Sequence, residues 1–354
     1  LLPQYFRAPR SLQFRARLLD EGGCVCEATS PAADGVPLLL DVPEPRAWSP
    51  ADPHLYDLEL EVLDASGQVA DAVHSYAGLR KIHVEDGHVL LNNEPLYQRL
   101  VLDQGYYPDG IWTAPSDEAL RGDIELAMGA GFNGARLHQK VFEERFHYWA
   151  DRLGYLTWGE SASWGCDISR DEAVRYFLDE WRQVVCRDRN HPSIIAWTPL
   201  NETWGVGRPD VHARAHRSAY DLARALDPTR PVNDASGGMH VKTDLYTVHT
   251  YNQDPSGLAA ELAADERNGF AAYDPDRHGD RPADEPLLLD EFGGTWWVPP
   301  ERRDGQGWGY GQAPESLEAF YTRLEGLVQA TLAAGQFVGF CYTQLTDVEQ
   351  EQNG

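Results

Sequence analysis

The alternation that begins near residue 80 is what most constrains this chain. From there on, apolar extended runs fall at 96–102, 132–138, 155–159, 193–200, 231–234, 245–251, 286–290 and 337–343. Helical periodicity fills most of the gaps, at 116–130, 142–153, 171–189, 210–226 and 314–334, with Ser116 placed as an N-cap. Eight strands alternating with helices over residues 81–354 predict an α/β fold, a (β/α)8 TIM barrel, which needs about 250 residues. A doubly wound open sheet would carry a glycine-rich phosphate loop after its first strand, and none follows residue 102.

Before residue 80 the period changes to two. The runs 12–18 and 56–63 alternate apolar and polar residues, and Asp20-Glu21-Gly22-Gly23 and Asp64-Ala65-Ser66-Gly67 close them as turns. This pattern predicts a small antiparallel β-sandwich over 1–80, ahead of the barrel over 81–354.

Composition narrows the function. A formal charge of −26 repels phosphate backbones and anionic lipid, which argues against nucleic acid and membrane surfaces as partners. No apolar run approaches the ~18–20 residues that span a bilayer. The chain opens Leu1-Leu2-Pro3, without Met or signal segment, and is expected to be the middle of a longer, cytoplasmic enzyme. Its five cysteines show no metal spacing and are expected to be reduced thiols. Eleven tryptophans offer flat faces on which a sugar can rest.

In a TIM barrel the chemistry gathers where the strands end. The fourth strand ends Trp197-Thr198-Pro199-Leu200-Asn201-Glu202, and the seventh ends Leu289-Asp290-Glu291-Phe292-Gly293. Two carboxylates across a barrel mouth are the equipment of glycoside hydrolysis. Held ~5–5.5 Å apart they cannot both be charged cheaply, so one is expected to keep its proton and act as general acid. The other attacks the anomeric carbon. Once that covalent bond has formed, the first turns general base toward water.

The stretch Arg187-Asp188-Arg189-Asn190-His191-Pro192-Ser193-Ile194-Ile195-Ala196-Trp197, followed by Leu200-Asn201-Glu202, resembles the acid/base signature of glycoside hydrolase family 2. That family holds retaining β-galactosidases, β-glucuronidases and β-mannosidases. Gly131-Phe132-Asn133-Gly134-Ala135-Arg136 is similar to its second barrel strand, and Asp151-Arg152-Leu153-Gly154-Tyr155 to the segment before its third. Asp290-Glu291-Phe292-Gly293 is similar to its nucleophile motif, and Trp48-Ser49-Pro50-Ala51-Asp52-Pro53-His54-Leu55-Tyr56 to a late strand of its immunoglobulin-like domain.

The resemblance implies Glu202 as acid/base and Glu291 as nucleophile, with Asp290 excluded. It implies that Asn201 binds the sugar's 2-hydroxyl and that Arg136 and Tyr251 hold the nucleophile. His138, His249 and Glu160 join the expected substrate site. Asp103 and Gln104 would contact sugar hydroxyls or cap their loop, and Gln344 stands where relatives often place a tryptophan. Trp164, Trp204, Trp296 and Trp297 lie on exit loops as sugar platforms. Gly159-Glu160-Ser161-Ala162-Ser163 lacks the Glu-x-His pair that binds magnesium in some relatives, so no metal or other cofactor is expected. The expected partner is a carbohydrate, with a homo-oligomer possible in principle. The expected activity is that of a retaining exo-β-glycosidase acting on a β-galactoside. A β-glucuronidase or β-mannosidase and a non-catalytic carbohydrate-binding barrel are the alternatives. Net acidity weighs against uronides.

Overall fold

A computed structural model describes residues 11–33, 36–205, 207–265, 269–279, 281, 284–302 and 306–354; residues 1–10 of the expected first domain lie outside the described residues. The chain divides into two compact units. One runs to Arg80 and takes in Asn190–Pro192, and the other holds the rest.

The first unit is antiparallel. Strands β1 (Gln13–Asp20), β2 (Gly23–Pro31), β3 (Tyr56–Leu63) and β4 (Val69–Ala77) form one sheet in the order β2-β1-β3-β4. Glu21 and Gly22, at φ 48° and 79°, give the β1–β2 turn the two positive φ values that a tight hairpin requires. At the next turn Asp64 Oδ1 accepts the Ser66 and Gln68 amides. Tyr56 and Trp48 are buried, and Ala47 bridges Leu79 beside this sheet. All five cysteines carry free thiols.

The second unit opens with the short antiparallel strands β5 (Ile82–Glu85), β6 (His88–Leu91) and β7 (Glu94–Pro95). Then come β8 (Gln98–Asp103), α1 (Asp117–Gly129), β9 (Gly134–Leu137), α2 (Glu144–Leu153), β10 (Leu156–Glu160), α3 (Asp171–Asp188) and β11 (Ile194–Thr198). The chain continues through β12 (Leu200–Asn201), α4 (Pro209–Leu226), β13 (Ala235–Ser236), β14 (Tyr246–Thr250), α5 (Pro255–Glu261) and α6 (Pro275–His278). It finishes with β15 (Leu287–Gly293), α7 (Leu317–Ala333) and β16 (Phe337–Thr343). The Ser116 hydroxyl accepts the Ala119 amide at the start of α1, and Ser316 does the same for α7.

Seven strands form a curled parallel sheet in the order β11-β10-β9-β8-β16-β15-β14. Their buried residues pack against the surrounding helices: Trp181 of α3 meets Trp197 of β11, and Leu327 of α7 joins a cluster with Leu289 and Phe337. Glycine is required at position 159, because a Cβ there would collide with the Trp197 ring.

The barrel is incomplete. A strand was expected at 231–234, but only Val232 bridges Trp197, and the two-residue pair β12–β13 follows. Among the described residues no ladder joins β13 to β14. Pro231 has no amide to donate, while the Val232 and Asp234 amides go to side chains, Asp244 Oδ2 at 2.9 Å and Thr243 Oγ1 at 3.3 Å. Side chains span the seam instead. Thr247 Oγ1 accepts the Gly237 amide, and His240 Nε2 donates to the Thr247 carbonyl at 2.9 Å.

Candidate active site

Arg136, at the β9 exit, is fully buried. An unpaired guanidinium there would be costly, and the neighbouring strands supply its partners. Nε donates to Glu160 Oε2 at 2.7 Å, and Nη2 to Glu160 Oε1 at 3.2 Å and Asn201 Oδ1 at 2.6 Å. Nη1 donates to Glu291 Oε1 at 2.7 Å. One cation therefore ties the ends of β9, β10, β12 and β15 together.

Glu291 is buried on β15, and Arg136 holds its Oε1. Its Oε2 accepts a hydrogen bond from the Tyr251 hydroxyl. Tyr251 lies flat against Tyr310, with centroids 3.4 Å apart, so the phenol's direction is fixed. Burial drives the Tyr251 hydroxyl well above its usual range, and the charge of Glu291 adds to the shift; the proton stays on the phenol. Tyr310 is pushed up to about 12, chiefly by burial.

Glu202 has a different setting. Its side chain is 29% exposed, and its backbone sits at φ 46°, in the left-handed region that non-glycine residues rarely occupy. Its amide donates to the Ser236 carbonyl at 2.9 Å. The strained turn sends the carboxylate to His249, whose Nδ1 donates to Glu202 Oε1 at 2.9 Å.

His249 stands between the two glutamates. Its Nδ1 is also 3.4 Å from Glu291 Oε2, and its Nε2 is 3.3 Å from Asp290 Oδ1. Nε2 donates to Ser236 Oγ at 2.9 Å, and that hydroxyl donates to Asp290 Oδ2 at 2.5 Å. Burial alone would lower the imidazole. The charges of Glu291 and Asp290 and the hydrogen bonds to Asp290 and Glu202 overcome it, raising His249 to about 10. The ring is thus a cation at neutral pH.

This changes the expected protonation. Like-charge repulsion was expected to leave a proton on one glutamate. Instead burial pushes both up, but the His249 cation, with Arg136 and His138 behind it, holds both below the ordinary carboxylate range. In the resting site the proton is stored on His249, one hydrogen bond from Glu202. One atom each of Glu202, His249 and Glu291 lie within 4.8 Å of one another.

Asn201 accepts from Arg136, while its Nδ2 is buried with no protein partner. The Asn201 main chain is braced by Ser163 Oγ, which accepts its backbone amide at 3.2 Å, and by the Trp164 indole, which donates to its backbone carbonyl at 3.3 Å. Trp164 is 60% exposed and meets His138 edge-on at 5.6 Å. His138 Nδ1 lies 2.9 Å from Arg136 Nη2.

Several expected substrate contacts are committed within the protein. Both oxygens of Glu160 are engaged by Arg136 and the Gln139 amide. Burial would raise it, but the charges of Arg136 and His138 hold it down at about 2. Asp103 caps its loop, accepting the Gly105 amide at 2.8 Å, and burial pushes it up to about 7. Gln104 and Gln344 bond each other at 2.8 Å. Trp297 packs against Phe320 of α7 at 5.8 Å. Trp204 is exposed, and Trp296 is half-buried with an unpartnered indole nitrogen.

A buried polar chain beside the seam was not anticipated. Asp234 accepts from His216 Nδ1 at 2.9 Å and His240 Nδ1 at 2.7 Å. His216 Nε2 and His212 Nε2 both meet Thr203 Oγ1, at 2.7 and 3.2 Å, next to Glu202 in the chain. A bare Asn-Asp pair before a loop gives no sign of partners on α4 and in the loop that leads to β14.

Comparison with known proteins fits this geometry. The family model described as "Glycosyl hydrolases family 2, TIM barrel domain" matches residues 82–268, more than half of the chain, and that of "Glycosyl hydrolases family 2" matches 8–80. The chain belongs to glycosyl hydrolase family 2. It is 28% identical over 261 residues to a β-galactosidase of Photobacterium profundum, covering 68% of this chain and 25% of that protein. It is 30% identical over 234 residues to a β-glucuronidase of Paenibacillus borealis, covering 62% and 38%. The structure of a β-D-glucuronidase from Dictyoglomus thermophilum shares the fold at a TM-score of 0.76 and 21% identity, over 94% of this chain and 57% of that one. A galacturonate-bound β-galacturonidase from Eisenbergiella tayi superposes at a TM-score of 0.73 and 21% identity, over 95% and 60%. The family 2 chain described here thus spans only a quarter to two fifths of those two curated relatives. No helix among its described residues is long and apolar enough to cross a membrane.

Proposed function

We propose that this family 2 chain carries the catalytic centre of a retaining exo-β-glycosidase working by double displacement. The observation that carries the reading is the close trio of Glu202, His249 and Glu291, whose spacing suits a retaining pair better than the ~6.5–9.5 Å that leaves room for a water. Glu291, ionised and aimed by Arg136 and Tyr251, attacks the anomeric carbon. A bound sugar excludes water from Glu202 and raises its affinity for the proton on His249 Nδ1. Glu202 then protonates the leaving oxygen. When Glu291 has become an ester, Glu202 takes a proton from water, and the attack on the ester returns the sugar with its configuration retained.

Asn201 Nδ2 is the donor for the sugar's 2-hydroxyl, and the exposed face of Trp164 is a wall for the ring. The leading substrate reading is a terminal β-galactoside, as in the Photobacterium relative. β-Glucuronide is the second reading, favoured by the Paenibacillus relative and the solved structures.

The test is a panel of 4-methylumbelliferyl β-glycosides combined with trapping by a 2-deoxy-2-fluoro-β-glycosyl fluoride of the sugar turned over. The expected result is a single adduct on the peptide holding Glu291. Labelling elsewhere, or turnover with inverted configuration, overturns the reading.

A further inference from the structure

Asp290, the neighbour of the nucleophile, reaches the proton path from behind. It is buried on β15, and its Oδ2 accepts the Ser236 hydroxyl at 2.5 Å. A hydroxyl has one hydrogen and a carboxylate oxygen only accepts, so that hydrogen goes to Asp290. Ser236 Oγ therefore meets His249 Nε2, 2.9 Å away, as an acceptor, and Nε2 must carry a proton. Asp290 Oδ1, which makes no hydrogen bond among the described residues, lies 3.3 Å from the same nitrogen. Counting donors and acceptors thus fixes the polarity of the chain from Asp290 through Ser236 to His249.

The other nitrogen faces the catalytic carboxylates. Nδ1 donates to Glu202 Oε1 at 2.9 Å and lies 3.4 Å from Glu291 Oε2. A neutral imidazole left to itself carries its proton on either nitrogen. Here the ring that remains after delivery keeps Nε2–H, and Nδ1 holds the lone pair that takes the proton back.

The main chain ties these groups together. Ser236 lies on β13 opposite Asn201 of β12, and its carbonyl accepts the Glu202 amide at 2.9 Å. One residue places Glu202 with its backbone and His249 with its hydroxyl. Gly237 closes one side of the imidazole, where a Cβ would lie 2.2 Å from its Cγ. The charged groups facing the ring are Glu202 after β12 and Asp290 and Glu291 on β15. In the proposed cycle Glu202 changes its proton and Glu291 becomes an ester, so Asp290 is the anion of the three that persists throughout.

We infer that Asp290, acting through Ser236, is a positioning residue for proton delivery: it keeps one proton of His249 on Nε2, so that the proton on Nδ1 passes to Glu202 and returns. The inference rests on the glycosidase reading above. The step moves one proton: the Nδ1–H bond breaks as the Glu202 O–H bond forms, while Nε2–H and the Asp290 carboxylate stay as they are. The proton that Glu202 later takes from water goes back to Nδ1.

The test uses the full-length protein and its Asp290→Asn and Ser236→Ala variants, with kcat/KM measured on methyl and 2,4-dinitrophenyl β-glycosides of the sugar turned over. Asp290→Asn should lower the methyl glycoside rate about thirtyfold or more and the dinitrophenyl rate no more than about threefold. Ser236→Ala should show the same split more weakly, because Asp290 Oδ1 stays near Nε2. The pH profile has a definite sign: removing an anion beside the imidazole makes its proton easier to lose. The basic limb for the methyl glycoside should therefore move down by about one pH unit or more in Asp290→Asn, while the acid limb stays in place. A pair that served only as a weld across the seam would lower both substrates together and leave the basic limb unmoved. Nitrogen-15 NMR of ring-labelled histidine reads the ring without turnover, the His249 signals being those lost in His249→Gln. In the wild type Nε2 should stay protonated as Nδ1 titrates. Equal losses on both substrates, an unmoved basic limb, or a neutral His249 with its proton on Nδ1 overturns the inference and leaves the glycosidase reading standing. Absence of wild-type turnover on every glycoside overturns that reading, and the inference with it.

Discussion

The corners around Glu291 and Glu202 hold the same functional group in opposite ways. Glu291 is buried, with Arg136 on one oxygen and a stacked tyrosine on the other, and neither partner can readily give up its role. Glu202 is partly exposed, sits on a strained backbone and, among the described residues, has one side-chain hydrogen-bond partner, the protonated His249. In the proposed roles Glu291 must stay charged and aimed, whereas Glu202 must gain and lose a proton in each cycle. The packing differs in that sense: rigid, over-supplied positive charge on one side, and one exchangeable hydrogen bond on the other.

The sharpest way to break this comparison is to remove each carboxylate in turn. Glu291→Gln should lower kcat by about 10⁴-fold or more on every substrate, with no recovery in azide. Glu202→Ala should cost roughly 10²–10⁴-fold on poor leaving groups and much less on activated aryl glycosides, and azide should yield the β-glycosyl azide. Product analysis by NMR distinguishes the two; the reverse pattern would exchange the roles.

A smaller effect is expected at the proton between them. His249→Gln should slow poor leaving groups by about 10²-fold while affecting activated ones less, because only the former depend on delivery of the proton. Linkage gives a second check. The folded-state value of His249 is raised to about 10, so its stabilising contribution is complete below the unfolded value of about 6.5. It declines as pH rises and is gone above about 10. The gap in urea midpoint between wild type and the variant should narrow over that window, and a gap independent of pH would remove the charged-histidine account.

The smallest effect belongs to the polar chain behind Glu202. Asp234→Asn should cost about 1–3 kcal/mol of stability by leaving buried imidazole donors poorly matched, while kcat falls no more than about tenfold. A larger loss in kcat with unchanged stability would place Asp234 in the chemistry itself.

Local pattern made much of this legible in advance. Glu202 and Glu291 end apolar runs within recognisable motifs, and Arg136 and Tyr251 both hydrogen-bond Glu291. What escaped was pairing across the fold. A glutamate at the β10 exit reads the same whether it faces a sugar or Arg136, and Asp103 the same whether it binds a ligand or caps Gly105. The protonation pattern was missed because repulsion between two glutamates can be counted from sequence, while a histidine inserted between them cannot. The 231–234 run has strand composition, yet Pro231 and the side-chain acceptors at Thr243 and Asp244 draw its backbone out of the ladder.

That unpaired seam has a consequence for how such a site can diverge. Glu202 follows β12 on one side of it, and His249 lies on β14 on the other. A continuous ladder would lock their spacing to the fixed rise of the sheet. Here a few side chains act as the weld, so single substitutions at Thr247, His240 or Asp234 bear directly on the spacing between Glu202 and His249. Reaction geometry then becomes heritable in small steps, without any strand having to change its register.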